Sequence, residues 1–253
     1  MKAISEAGNR CLGGSHWWGP YGRQQAVLTL ILGAGVAAPV HAQRPSPDPT
    51  PIPVNLEPRF KITLRVYNYA HIPDVLLSRA EEEATAIFRP TGIEAVWVDC
   101  PLSGAEWDRY PACQQPMGRA GFALRILSAA MTQKAPARGE ALGFALPCPE
   151  DLTGCYAEVF YLRITDWASG AEISAYQLLG HAMAHEIGHL LLGPNSHSRN
   201  GIMRAQWNRD DLRVVARASL RFSPEQSERL RSACLGRIQG AGMAASANGA
   251  PVK

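Results

Sequence analysis

The sequence lacks a strong surplus of charge of either sign, a cysteine pair at zinc-binding spacing and an internal repeat. Its 25 lysine and arginine residues are nearly balanced by 22 aspartate and glutamate residues, which gives a formal net charge of +3. This balance does not indicate a nucleic-acid binder. The absence of any Cys-x-x-Cys pair disfavours a cysteine-based zinc site. A hydrophobic content of 46% over 253 residues predicts a sizeable folded domain with appendages.

The first 42 residues have the pattern of a secretory signal peptide. Lys2, Arg10 and Arg23 precede an apolar run over 26–38, and small residues follow up to Ala42. The run is too short to span a bilayer comfortably. We expect cleavage after Ala42, a secreted or periplasmic protein, and no stable membrane insertion after cleavage. An uncleaved anchor or a wrongly assigned start codon are the alternatives.

Composition divides the remaining chain into three parts. Residues 43–58 contain six prolines and are predicted to form an extended linker. Residues 59–236 carry the periodic apolar patterns of a folded domain. Residues 237–253 are rich in glycine, alanine, serine and asparagine, and are predicted to be a disordered tail.

Export makes disulfides possible, and five cysteines follow the predicted cleavage site. Cys100 with Cys113, and Cys148 with Cys155, each flank a short loop that contains proline or glycine. Two local disulfides are therefore the economical expectation, and they leave Cys234 free.

Strands and helices alternate through the folded segment. Apolar and polar residues predict strands at 60–66, 93–98, 121–127, 142–146 and 156–164. Helices are predicted from Asp74 to a stop at 89–92, from Ser174 to Gly193, and from Ser223 to about Leu235. The order strand, helix, strand implies an α/β fold in which helices pack on a mixed sheet.

The second of these helices contains the sequence His185-Glu186-Ile187-Gly188-His189. Two histidines four residues apart share one helix face, so both imidazoles can reach one tetrahedral metal ion. Glu186 suits the role of a general base. The other residues of the helix are mostly apolar, and buried polar groups among them would cost several kcal/mol without a cation. The alternative is a pair of core histidines that are hydrogen-bonded to the backbone.

The sequence also indicates where this helix begins and ends. Ser174 and Gln177 are predicted to form a capping box at its start, and Gly193 is predicted to end it. A catalytic zinc ion usually has three protein ligands, and His197 is the predicted third because Gly193 lets the chain turn back. The alternatives for this third ligand are Asn195, Asp210 and Asp211. His181, one turn before His185, is interpreted as a packing residue or as a hydrogen-bond partner of a ligand.

With Gly201-Ile202-Met203 downstream, the pattern resembles the metzincin clan of zinc metallopeptidases, whose motif is HExxHxxGxxH followed by a methionine turn. The present order is HExxHxxxGxxxH, with one more residue on each side of the glycine. The resemblance implies a mostly parallel five-stranded sheet with an antiparallel edge strand, packed by an N-terminal, an active-site and a C-terminal helix. It also implies these roles around one catalytic zinc ion: ligands His185, His189 and His197, general base Glu186, turn residue Gly193 and packed floor Met203.

The function that this resemblance implies is that of an exported zinc-dependent endopeptidase. Its peptide or protein substrate would lie along the edge strand at 142–146, for which a plain sheet edge is the alternative. Two other functions stay open. One is a secreted, zinc-stabilised binding domain without turnover, and the other is an HExxH hydrolase with an acidic third ligand, as in the gluzincins.

Overall fold

The computed structural model of the chain describes residues 60–134, 141–146, 155–218 and 220–247, with the backbone alone over 240–247. The predicted signal peptide (1–42) and linker (43–58) lie outside the described residues. Cys148 and the end of the predicted tail lie outside them as well. Within the described part of the chain, no helix combines the length and the apolar character that crossing a membrane requires.

Five strands and seven helices make up the described fold. The strands are β1 (Phe60–Asn68), β2 (Ile93–Asp99), β3 (Gly121–Leu127), β4 (Gly143–Leu146) and β5 (Tyr156–Phe160). The helices are α1 (Asp74–Phe88), α2 (Pro111–Gln114), α3 (Ala129–Lys134), α4 (Tyr161–Ala171), α5 (Ala175–Leu192), α6 (Arg209–Ala216) and α7 (Pro224–Ala247). Two 3₁₀ turns, Arg89–Thr91 and Gly104–Arg109, lie on either side of β2.

The five strands form one sheet in the order β2-β1-β3-β5-β4. The first four strands are parallel to one another, and β4 pairs antiparallel with β5 at the edge. This confirms the predicted fold class, a mixed and mostly parallel five-stranded sheet with an antiparallel edge strand and packed helices. Parallel strands are buried on both faces, and the inward residues of β1 and β3 are accordingly fully buried.

Helices α1 and α5 pack together beside the sheet. The buried stripe of α1 includes Leu77, Ala84 and Phe88, as its helical period predicts. Gly180 of α5 lies so close to α1 that a Cβ atom there would come within 2.6 Å of the Ala80 carbonyl oxygen. Because most of the surface of α5 is buried, the polar side chains that it carries are held in a fixed apolar setting.

The strand predicted over 156–164 is too long. The structure ends β5 at Phe160, and Tyr161 begins α4. Ile164 and Ala168, one turn apart, are the buried residues of this helix. Its start carries no capping signal, since no side chain caps the helix at Phe160. The apolar residues Tyr161, Leu162 and Ile164 therefore looked like a continuation of the strand.

The last helix is longer than predicted. Instead of ending near Leu235, α7 runs through Gly236 to Ala247, so it enters the segment predicted to be disordered. Arg237 explains part of this extension, because its guanidinium is buried and stacks on the Phe122 ring at 4.8 Å. It donates hydrogen bonds to the carbonyl oxygens of Arg119 at 2.8 Å and Leu190 at 3.1 Å. The second of these oxygens belongs to the last turn of α5.

The cysteines follow the expected pattern where the structure describes them. Cys100 and Cys113 form the predicted disulfide, which closes the loop between β2 and α2. Cys234 is a free thiol buried in the core. Cys155 is disulfide-bonded, and its predicted partner, Cys148, lies outside the described residues.

Candidate metal centre

Helix α5 carries the candidate centre, and its start differs from the prediction. Ser174 occupies the N-cap position, but its side chain makes no capping hydrogen bond, so the predicted capping box is wrong. The Ser174 carbonyl oxygen instead accepts from the backbone N–H groups of Gln177 and Leu178. The Gln177 side chain donates to the Ala216 carbonyl oxygen of α6 at 3.4 Å. Local backbone hydrogen bonds and one side-chain contact to α6 therefore replace the predicted capping box.

The structure brings three imidazoles together at the other end of α5. The Nε2 atom of His189 lies 3.1 Å from that of His185 and 3.1 Å from that of His197. The ligand atoms of all three residues lie within 4.8 Å of one another. His185 is buried, His189 is half-buried and His197 is exposed. The group is therefore open to solvent from one side.

The loop between α5 and His197 absorbs the two extra residues of the motif. Gly193 ends the helix with φ +83°, a conformation that glycine adopts without strain. Asn195 also has a positive φ, 58°. Ser196 is buried and its hydroxyl donates to the Gly193 carbonyl oxygen at 2.8 Å. This tight turn returns the chain to α5 and places His197 beside His189.

Hydrogen bonds at the Nδ1 atoms fix the tautomers of two histidines. The Nδ1–H of His185 donates to the Ile202 carbonyl oxygen at 2.6 Å. The Nδ1 of His189 lies 2.8 Å from the Ser196 hydroxyl. Because that hydroxyl donates its own proton to the Gly193 carbonyl oxygen, the His189 Nδ1 must be the donor in their contact. Both Nε2 atoms are then unprotonated and present lone pairs to each other.

Two facing lone pairs at 3.1 Å repel each other unless a cation lies between them. Burial in the apolar helix lowers the pKa of His185 to about 4. Burial, followed by the neighbouring His185 and His197, lowers the pKa of His189 to about 3. Near neutral pH neither imidazole is protonated, so a proton does not separate the two lone pairs. Tetrahedral Zn²⁺ with bonds of about 2.0–2.1 Å separates its ligand nitrogens by roughly 3.3 Å, which the two distances from the His189 Nε2 approach. The three imidazoles, with ligand atoms within 4.8 Å of one another, form a group that could hold a metal ion.

Glu186 lies next to this group on the wall of a cleft. Its side chain is only 7% exposed. Gly143 of β4 makes room for it, because a Cβ atom at Gly143 would lie 2.6 Å from the Glu186 Cγ and 2.7 Å from its Oε1. The carboxylate is therefore confined between α5 and the edge strand.

The cleft has a volume of about 800 Å³. Strand β4 forms one wall, and the segment from Arg204 to Trp207 forms another. The imidazoles of His185, His189 and His197 line it together with Glu186. Most of the remaining lining is apolar, as is usual for clefts that bind ligands.

Met203 lies close to the turn of α5 that carries the candidate ligands. Its side chain is fully buried, and its sulfur is 2.7 Å from the position that a Cβ atom of Gly188 would take. The Ser198 N–H donates to the Met203 carbonyl oxygen at 2.8 Å. The turn around Met203 is thus packed against the turn of α5 between His185 and His189.

The alternative third ligands have other roles. Asp211 accepts from the Asn208 N–H and from Arg204, both at 2.8 Å, and with Asn208 it caps α6. Asp210 pairs with Arg213 on the surface. Within the described part of the chain, the group able to hold a metal contains the three histidines and neither carboxylate. Asn195 lines the cleft.

Several residues that shape the site were not predicted. Gly143 makes space for Glu186, Ser196 orients His189, and the Ile202 carbonyl oxygen orients His185 and also accepts from Trp207 at 3.2 Å. A backbone carbonyl leaves no signal in the sequence. Ser196, next to a candidate ligand, could have been predicted as a hydrogen-bond partner, since metal-binding imidazoles usually donate the N–H of their second nitrogen to such a group.

Comparisons with known proteins leave the chain without an assigned family. No family model and no curated protein matches the sequence. Thirteen chains of solved structures match. Among them is the crystal structure of archaemetzincin from Methanopyrus kandleri, at 18% sequence identity and a TM-score of 0.39, over 74% of this chain and 99% of that one. A likeness of this extent establishes neither an activity nor a substrate for this chain.

Proposed function

We propose that the protein is an exported zinc-dependent metalloendopeptidase. The observation that carries the proposal is that the Nε2 atoms of three histidines converge beside the Glu186 carboxylate. Two of these imidazoles donate their Nδ1–H groups to Ile202 and Ser196, which leaves their Nε2 atoms as acceptors. A structural zinc site normally closes with four protein ligands. Here three histidines face an open cleft, which leaves a fourth position for water.

His185, His189 and His197 would hold the zinc ion. When bound, zinc supplies Lewis acidity that lowers the pKa of water towards neutrality and polarises a carbonyl group. Glu186 accepts a proton from the water that attacks the peptide carbonyl, and then delivers that proton to the departing amine. Its confinement against Gly143 keeps the carboxylate near the cleft, where both transfers occur.

The edge strand β4 offers a binding site for an extended peptide. The Phe160 N–H donates to the Leu142 carbonyl oxygen at 2.8 Å. In an antiparallel ladder the groups of alternate residues point the opposite way, so those of Gly143 and Ala145 point away from β5. A substrate that pairs with these groups is held through its backbone, and this mode accepts many sequences.

Export rests on the first 42 residues of the sequence. The Cys100–Cys113 disulfide supports it, because disulfides persist in oxidising compartments. The binding-domain alternative requires neither a general base nor a cleft at the metal. Glu186 and the open side of the histidine group therefore favour the peptidase.

The test compares the full chain with its Glu186→Gln variant. Zinc content is measured by mass spectrometry, and proteolysis is followed on an unstructured protein substrate. We expect one zinc ion per chain in both proteins and a roughly 10²–10⁴-fold slower cleavage by the variant, since a general base contributes about that much. Glu94→Gln is the matched control, because Glu94 lies on β2 and pairs with Lys61 far along the sheet from β4.

The control variant should cleave at the wild-type rate. Bound zinc with no cleavage by the wild type would favour the binding domain over the peptidase. Equal cleavage by the wild type and Glu186→Gln would remove Glu186 from the mechanism.

A further inference from the structure

The cleft has an uneven distribution of charge. Of the described residues that line it, only Glu186 and Arg204 carry a formal charge when the histidines are neutral. Glu186 has a role in the proposed reaction. Arg204 has none, although it follows Met203 directly and lines the cleft. Its neighbours in the lining are Ala205, Gln206 and Trp207.

Arg204 is held in place by its surroundings. Its backbone N–H donates to the Gly201 carbonyl oxygen at 3.2 Å, which fixes it to the turn around Met203. Its Nη1 donates to the Asp211 Oδ2 at 2.8 Å. Asp211 is in turn fixed by the Asn208 N–H at the start of α6. The guanidinium is therefore oriented before any ligand binds.

The contact with Asp211 uses only part of the guanidinium. An arginine side chain has five N–H donors in a planar fork, and that contact engages Nη1. The side chain remains 35% exposed and borders the cleft, whereas Asp211 does not line it. An oriented fork whose remaining donors have no acceptor among the described residues is the arrangement that binds a carboxylate through two hydrogen bonds.

We propose that Arg204 binds a carboxylate of the substrate and so determines its specificity. The inference rests on the proposed peptidase function and adds a substrate class to it, namely peptides with an acidic group a short distance from the scissile bond. The carboxylate can belong to an acidic side chain or to the C-terminus of the peptide. The Trp207 ring, which is held by a hydrogen bond to the Ile202 carbonyl oxygen, lines the same cleft and provides an apolar surface for the carbon atoms that carry the acidic group.

Binding is measured first, with the Glu186→Gln variant of the full chain so that no peptide is cleaved. Fluorescent peptides of one host sequence carry either Glu or Gln at each position in turn, and end in a free acid or an amide. Anisotropy is recorded with and without added zinc. We expect one Glu position, or the free acid, to bind roughly tenfold more tightly than its neutral counterpart, as hydrogen bonds to charged groups provide.

Substitutions at Arg204 connect this preference to the residue. Arg204→Met should abolish it while neutral peptides bind within about twofold of before, and Arg204→Lys should retain part of it because the charge remains without the fork. Arg199→Met is the matched control. Arg199 is exposed and borders a neighbouring depression that Arg204 also borders, but Arg199 does not line the cleft itself. This control should keep the full preference.

The outcomes separate the two proposals. A preference for one Glu position assigns the carboxylate to a side chain, and a preference for the free acid assigns it to the C-terminus. Equal binding of all acidic and neutral pairs, or a preference that survives Arg204→Met, overturns the role of Arg204. If wild type cleaves no peptide but the binding preference depends on Arg204, the peptidase function fails and carboxylate recognition stands.

Discussion

The two halves of α5 each contain a buried histidine whose Nδ1 donates to a backbone carbonyl oxygen. His181 donates to Gln177 at 2.8 Å, and His185, one turn later, donates to Ile202 at 2.6 Å. Burial lowers the pKa of both imidazoles to about 4. By burial, tautomer and charge the two residues are nearly equivalent. Only His185 belongs to the group that can hold a metal among the described residues.

The difference lies in the source of the accepting carbonyl. Gln177 belongs to α5 itself, so its carbonyl keeps the His181 ring along the helix, where the Glu83 carboxylate of α1 lies 3.7 Å from Nδ1. Ile202 belongs to the turn around Met203, and its carbonyl directs the His185 ring into the cleft. An imidazole on a helix therefore becomes a candidate ligand when a different segment orients it. This supports the interpretation of His181 as a packing residue.

The largest expected effect comes from a matched pair of substitutions, His185→Gln and His181→Gln. Loss of a ligand should weaken zinc binding by more than the roughly 10–100-fold that loss of a supporting hydrogen bond costs. His181→Gln should change zinc affinity only a few-fold. Competition with a chromophoric chelator measures both. Comparable losses in the two variants would show that the two halves of α5 do not differ as described.

The second prediction concerns stability in acid, and it depends on His181. Unfolded His181 binds a proton below about pH 6.5, whereas the folded protein resists protonation until about pH 4. The unfolding free energy therefore falls as pH is lowered through this window, and the contribution is fully present above it. A change from 6.5 to about 4 corresponds to roughly 3 kcal/mol.

Urea unfolding of the metal-free protein at pH 7 and pH 5 tests this. His181→Gln should lose less stability than wild type between the two pH values, because Gln does not titrate. Because wild type and variant both contain His185 and His189, the contributions of these residues to the change in unfolding free energy cancel in the comparison. An unchanged difference between the two pH values would contradict a low pKa at His181.

The third prediction concerns Ser196, which orients His189 as Ile202 orients His185. Ser196→Ala removes the acceptor of the His189 Nδ1–H and should weaken zinc binding roughly 10–100-fold. Ser198→Ala is the control, since its hydroxyl donates to the Asn200 carbonyl oxygen and not to a histidine. Zinc affinity equal to wild type in both variants would mean that His189 is oriented without help from Ser196.

The smallest expected effect separates catalysis from metal binding. Gly143→Ala places a methyl group 2.7 Å from the Glu186 Oε1 and 2.8 Å from the Glu158 carbonyl oxygen of β5, and should displace that carboxylate. We expect cleavage to fall about tenfold, a part of what a general base contributes, with zinc affinity unchanged. Gly104→Ala, where a Cβ atom meets nothing within 4 Å, should leave both unchanged. Reduced zinc affinity in Gly143→Ala would show that β4 supports the ligands as well.

Local periodicity was enough to predict much of this arrangement. The alternating residues of β1 and the apolar stripe of α1 are short-range patterns, and they predicted elements whose bounds nearly match the structure. The predicted site also depends mainly on one helix, because His185, Glu186 and His189 are neighbours in sequence. His197 was predictable because Gly193 indicated a turn that brings the chain back towards the helix.

Other features depend on contacts that no local pattern contains. Helix α4 escaped prediction because Tyr161 to Ile164 have residue types that also favour strands. Helix α6 had a capping box at Asn208 and Asp211, but Asp211 was considered only as a ligand. The space that Gly143 leaves for Glu186 is set by the approach of β4 to α5, which only the folded chain determines.

Arg237, a residue that composition assigns to a tail, connects the sheet to the end of α5 that carries the candidate metal centre. Its guanidinium joins the Arg119 carbonyl before β3 to the Leu190 carbonyl, one residue after His189. A shortened protein that stops at 236, where the regular apolar pattern ends, loses a buried cross-link between the sheet and the end of α5. The folded unit therefore extends beyond its last predicted helix, and a truncated form needs Arg237 to keep the hydrogen bond to the last turn of α5.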